Sequence, residues 1–219
     1  MDIDYACETG NLDWLKAQKA AGAFSKPWVG SSRLIQLAAA NGHLDVVKWL
    51  VFESRQPSSS TEDNNFAVRM AAANGHLNVV RWLVEESGQA VDLTAGECRV
   101  LQVAAEYGHL EVVKWLVKES GQQLDITTTD NYAARWAAAN GHDAVLRWLI
   151  EDSGQLIDCR GKDILLISRG FDDLNESIKT YLIQVRMLQE ALGLDNWKTG
   201  LDAIAIEQTI RQPASKTRI

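Results

Sequence analysis

The sequence predicts an all-α solenoid of stacked antiparallel helix pairs, joined by loops or β-turns and closed by a C-terminal helical cap. Three observations carry that reading. The segment LAAANGHLDVVKWLV (37–51) returns as MAAANGHLNVVRWLV (70–84), VAAEYGHLEVVKWLV (103–117) and WAAANGHDAVLRWLI (136–150). Gly42, Gly75, Gly108 and Gly141 therefore recur every 33 residues without insertion. Such a period is too long for a heptad and too short for an independent domain, so each unit buries its apolar face only by stacking on its neighbours. Inside each unit, an Ala-rich stretch and an L-x-V-V-x-W-L stretch flank a Gly-His pair.

The Ala-rich stretch is a good helix former whose small side chains let a neighbouring helix approach closely. It is the inner helix. Gly-His breaks it, and the outer helix follows with a broad apolar face, as in Leu77, Val79, Val80, Trp82 and Leu83. The connection ESGQAVDLTAGE (86–97) is rich in Gly, Ser and Asp and reads as a loop. The N-terminal stretch YACETGNLDWLK (5–16) repeats the pattern with Gly10 in the glycine position. At the other end Ile178, Tyr181 and Leu182 keep the apolar triplet of Val145, Trp148 and Leu149, while Leu174 replaces the glycine. The units are then 1–27 as a capping repeat, 28–60, 61–93, 94–126 and 127–159 as full repeats, 160–192 as a degenerate repeat, and 193–219 as a capping helix and mobile tail. Asp173 and Glu176 form the expected capping pair of a longer last outer helix, and a final helix is expected over about 197–211.

The motif A-A-x-x-G-H-L-x-V-V-x-x-L-[LV], four times in register, resembles the ankyrin repeat family. The resemblance covers roughly residues 28 to 160 and implies paired helices with projecting loops. It departs where the family opens its first helix with T-P-L-H. Those positions read Arg33-Leu34-Ile35-Gln36, Phe66-Ala67-Val68-Arg69, Arg99-Val100-Leu101-Gln102 and Tyr132-Ala133-Ala134-Arg135. The turn glycine is replaced by Ser31, Asn64, Glu97 and Asp130. Asn64 and Asp130 are expected to keep a tight turn because Asn and Asp tolerate left-handed backbone; at Ser31 and Glu97 the family's usual hairpin finger is left open.

Composition narrows the function. The formal net charge of -7 argues against nucleic acid as a partner, which would need a surplus of Lys and Arg. No stretch approaches the roughly 18 apolar residues of a membrane span, and the acidic start MDIDYACETG lacks a signal-peptide core, so a soluble chain without membrane insertion is expected. Cys7, Cys98 and Cys159 are odd in number and form no C-x-x-C pair, which points away from disulfides and zinc and toward a cytoplasmic setting, or a host cell cytosol if the chain is delivered there.

His43, His76, His109 and His142 all follow the repeat glycine. Equivalent residues lie a whole repeat apart, roughly 10 Å, too far to share an ion held at about 2 Å, so they read as structural. Trp49, Trp82, Trp115 and Trp148 stand where the family has a core leucine and read as buried between repeats. Glu85, Glu86, Glu119, Glu151 and Asp152 cluster at outer-helix ends as a solvated face. No phosphate loop, paired catalytic carboxylates or H-E-x-x-H occurs. Neither an enzyme nor a cofactor nor a metal site is expected.

The resemblance implies partner binding by a concave face of loop tips and exposed inner-helix residues. Mapped onto this chain, those are Gln36, Asn41, Arg69, Asn74, Gln102, Glu106, Tyr107, Arg135 and Asn140. Tyr and Arg are over-represented in binding hot spots, and the two arginines suggest a partner that offers carboxylates at that spacing. The expected function is a non-catalytic module, monomeric, that binds another protein, as an adaptor or a host-directed effector; arrays with this N-G-H-L wording are similar to expanded sets in intracellular bacteria, amoebae and giant viruses. Two alternatives stand beside it: residues 160–219 as a functional helical appendage delivered by the repeats, and a structural self-associating array.

Overall fold

A computed structural model describes residues 2–22, 31–54, 61–159, 174–194 and 196–201. Eleven helices are resolved among them: α1 (Ile3–Glu8), α2 (Leu12–Ala20), α3 (Ser31–Ala40), α4 (Leu44–Ser54), α5 (Thr61–Ala73), α6 (Leu77–Glu85), α7 (Ala95–Glu106), α8 (Leu110–Lys118), α9 (Thr128–Ala139), α10 (Asp143–Glu151) and α11 (Glu176–Leu192). No strand occurs among the described residues. A short helical stretch begins at Trp197 and runs to 201; the rest of the expected final helix, and Asp173 and Trp28, lie outside the described residues.

The odd-numbered helices α1, α3, α5, α7 and α9 pack in series as an inner layer, and α4, α6, α8 and α10 as an outer one. Alanine pairs make the inner layer close: Ala38-Ala39, Ala71-Ala72, Ala104-Ala105 and Ala137-Ala138 are all buried, and with no side chain beyond Cβ they let neighbouring helices approach. The outer helices bury Val46-Val47, Val79-Val80, Val112-Val113 and Val145-Leu146 against them.

Each repeat is stitched to the next at Gly-His. The last carbonyls of a helix lack an intrahelical partner, and here a histidine from the following repeat supplies one. The Nε2–H of His43 donates to the Glu8 carbonyl at 2.8 Å, His76 to Ala40 at 3.0 Å, His109 to Ala73 at 2.9 Å and His142 to Glu106 at 3.0 Å. The glycine makes room for that ring. A Cβ on Gly42 or Gly75, both left-handed at φ 77° and 76°, would lie closer than 3.0 Å to the imidazole of His76 or His109. The expected structural role of the histidines is the one observed. Asn175 stands 33 residues after His142, and its carboxamide oxygen accepts from the Ile178 N–H at 2.9 Å as the cap of α11. The cap of that helix is therefore Asn175 rather than the Asp173 and Glu176 pair, because Asn175 is the residue adjoining the first helical turn.

A second stitch lies in the loops. Ser87-Gly88-Gln89, Ser120-Gly121-Gln122 and Ser153-Gly154-Gln155 recur every 33 residues. The Ser87 and Ser120 hydroxyls donate to Leu83 and Leu116 carbonyls at 2.6 and 2.7 Å, closing the outer helix. The Gln122 amide accepts from the Leu93 N–H (2.9 Å) and donates to the Val91 carbonyl (3.0 Å) of the preceding loop. Gln155 does the same for Ile126 and Leu124, and Gln189 on α11 for Cys159 and Ile157. A side-chain amide thus pairs with backbone as a strand would.

Trp82 and Trp115 are buried as expected, whereas Trp49 and Trp148 are only half-buried. A cation of one repeat covers the aromatic ring of the next: Lys48 over Trp82 at 5.7 Å, Arg81 over Trp115 at 6.0 Å and Arg147 over Tyr181 at 4.0 Å.

The turns into the inner helices differ from expectation. Gly96, Glu97 and Cys98 form one left-handed turn (φ 57–61°), as do Thr129, Asp130 and Asn131 (φ 53–59°). Asp130 thus takes the left-handed turn expected of it, Glu97 takes one as well, and Asn64, expected in such a turn, lies within α5 instead. Non-glycine residues there cost roughly 1–2 kcal/mol each, offset by bonds between the turns: the Thr128 and Thr129 hydroxyls donate to the Glu97 carbonyl (3.1 Å) and carboxylate (2.5 Å).

Candidate functional site

The inner helices bury positions i, i+1, i+4 and i+5, as with Leu34, Ile35, Ala38 and Ala39, so the side chains at 33, 36, 37 and 40 and their equivalents share the opposite face. One column along that face reads Arg33, Phe66, Arg99, Tyr132; the next, one turn on, reads Gln36, Arg69, Gln102, Arg135. The sequence reading assigned only the second column. The first stands at the Thr of the T-P-L-H positions and shares the 33-residue spacing, which was the signal for it.

These side chains interlock. The Arg69 guanidinium lies 5.1 Å from the Phe66 ring centroid, and Arg99 lies 5.5 Å from that of Tyr132. Tyr132 also stacks, tilted, on Trp136 at 5.6 Å, and its hydroxyl donates to the Glu106 carboxylate at 3.4 Å. Between α3 and α5 a groove of about 340 Å³ is lined by Arg33, Gln36, Leu37, Ala40, Phe66 and Met70. Arg33 forms an exposed ion pair with Asp4 at 2.9 Å.

The nine assigned residues do not all end as free surface. Tyr107 is open, 57% exposed. Arg69, Arg135, Glu106 and Gln36 are half-buried on the face. Arg135 donates to the Asp130 carbonyl at 3.4 Å, and its buried Nε has no partner. Asn41 and Asn74 are exposed, but their amides donate to Leu37 and Met70 carbonyls of their own helices at 2.9 Å; Asn140 donates across to Glu106 at 2.9 Å. Gln102 requires correction. Only 4% exposed, it donates to the Glu97 carbonyl at 2.7 Å and accepts from Arg99 at 3.2 Å. The left-handed turn folds over it, so it supports the face from beneath.

Residues 35–130 match the family model for ankyrin repeats, in three copies. Residues 35–130 carry ankyrin repeats. No curated protein matches the chain. The ankyrin match stops short of the fourth glycine-histidine pair, Gly141-His142, whose geometry nevertheless repeats that of the matched units. Ankyrin repeats generally mediate protein–protein interaction and are typically non-catalytic.

The chemistry of the remaining groups is quiet. Burial, with Asp4 and Glu8 adding to it, pushes the Cys7 thiol up to about 12; burial with Asp158 does the same for Cys159, and burial raises Cys98. Hydrogen bonds from Thr94 hold Asp92 below the usual carboxylate range, the signature of a turn rather than an acid catalyst. Among the described residues no helix is long and apolar enough to cross a membrane, and no three His, Cys, Asp or Glu side chains converge on a point that could hold a metal ion.

Proposed function

We propose that this chain is a non-catalytic adaptor that binds another protein on its inner-helix face, around Arg69, Arg99, Tyr107, Tyr132 and Arg135. The observation that carries the reading is the coupling of arginines to aromatic rings on one face: Arg69 on Phe66 and Arg99 on Tyr132. Arg and Tyr dominate binding hot spots because they combine buried area with directed hydrogen bonds. Held by their stacks, they lose less freedom on association than solvated side chains. The structural cost is carried elsewhere, by Gly-His and the loop glutamines, which leaves these columns free to differ from repeat to repeat. A cytosolic, monomeric protein fits this use, and the repeat wording suggests a host-directed variety.

The test is affinity capture with quantitative mass spectrometry, comparing wild type with Arg69→Glu/Tyr107→Ala/Arg135→Glu after circular dichroism has shown both to be folded. A protein captured by wild type and lost by the variant supports the reading; identical captures contradict it.

A further inference from the structure

We infer that the inner-helix face binds an extended acidic segment of the partner, in β-like conformation, with a carboxylate at every third residue. This rests on the protein-binding reading above and fixes the backbone and charge spacing of what is bound.

The repeats alternate in pairs. Arg33 with Gln36 is followed by Phe66 with Arg69, then Arg99 with Gln102, then Tyr132 with Arg135. Every repeat therefore offers one arginine, switching between two rows three residues apart along the helix, about 4.5 Å. Among the described residues Arg69, Arg99 and Arg135 form no ion pair. The nearby carboxylates are engaged by hydroxyls instead, Glu97 by Thr129 and Glu106 by Tyr132. Arg33 is paired with Asp4, but in an exposed bridge of the kind that contributes little and exchanges readily.

Geometry then selects the ligand's backbone. Packed helices lie roughly 8–10 Å apart, and three residues of an extended strand advance about 10 Å. In a strand, residues i and i+3 point to opposite sides. A strand lying across the inner helices thus sends successive third residues alternately to the two rows, following Arg33, Arg69, Arg99 and Arg135. An α-helical ligand meets the spacing only with residues seven apart, which fall on one line, and so misses the alternation. The rings of Phe66, Tyr132 and Trp136 and the groove beside Phe66 receive the intervening apolar side chains.

The experiment is fluorescence anisotropy of the full chain with two labelled 13-residue peptides of equal composition, one with glutamate at every third position and one with the glutamates contiguous. Wild type is expected to prefer the spaced peptide by about tenfold, and Arg69→Gln/Arg135→Gln to lose that preference. Glutamine already occupies the equivalent positions 36 and 102, so the variant keeps a native side chain at each site. Arg33→Gln/Arg99→Gln, removing the other row, is expected to give the same loss independently. Equal affinity for the two peptides, or a preference retained by both variants, overturns the proposal. Tighter binding of a single-stranded oligonucleotide than of the spaced peptide, lost in the same variants, also overturns it, since stacking rings between arginines would then be reading bases. The capture comparison above uses no designed peptide, so it still decides the protein-binding reading if the peptide fails.

Discussion

At the junctions between repeats the chain reads Gly-His four times over, and each histidine makes the same bond to a carbonyl 35 or 36 residues behind it, with the preceding repeat's glycine leaving room for its ring. On the inner-helix face a few ångströms away, equivalent positions read Arg, Phe, Arg and Tyr. The two regions share a backbone and a period but answer to different demands. A stitch must fit the neighbouring repeat, which is the same each time, so it is the same each time. A face that meets another molecule fits that molecule, and the array varies it.

The largest effect is expected from breaking the stitch. Gly75→Ala places a methyl against the His109 ring at positive φ, adding overpacking and a lost hydrogen bond to backbone strain, for about 3 kcal/mol in urea unfolding. Gly141→Ala is its control, because among the described residues only the Asn175 amide lies near, at 3.7 Å; strain alone costs about 1 kcal/mol. Equal losses would show that backbone conformation, and not the histidine notch, holds the repeats together.

Next comes the loop stitch. Gln155→Leu leaves the Ile126 N–H and Leu124 carbonyl without their partner and is expected to cost about 2 kcal/mol. Smaller again is Arg81→Gln, which uncovers Trp115 for about 0.5–1 kcal/mol, read from the same unfolding curves. The thiols report without altering the molecule: with Cys7 pushed up to about 12 and Cys98 raised by burial, alkylation at pH 8 proceeds only through opening. Because the ends of a repeat array open more readily than its middle, Cys7 is expected to label before Cys98 by mass spectrometry.

What was legible in the sequence follows the same division. Gly42, His43 and Trp82 announced themselves by recurrence, and their packing matched the reading because each is fixed by an identical neighbour. Gln122 and Gln155 recurred just as regularly, yet a loop rich in Ser and Gly reads as solvent-exposed chain, and nothing local shows that the amide reaches into the preceding repeat. The turn at Glu97 was illegible for a related reason: its left-handed backbone is sustained by Thr128 and Thr129, over 30 residues on. Gln102 was placed on the surface because its column is, and only that turn, closing over it, buries it. The Arg33, Phe66, Arg99 and Tyr132 column was visible but passed over as a missing motif.

The division between stitch and face is tested most directly by measuring stability and partner binding together on Arg69→Gln/Arg135→Gln. The account predicts an unfolding free energy within about 0.5 kcal/mol of wild type and an affinity for the captured partner at least about tenfold weaker. A variant that loses stability while keeping its affinity would contradict it, and would make the arginine columns part of the scaffold.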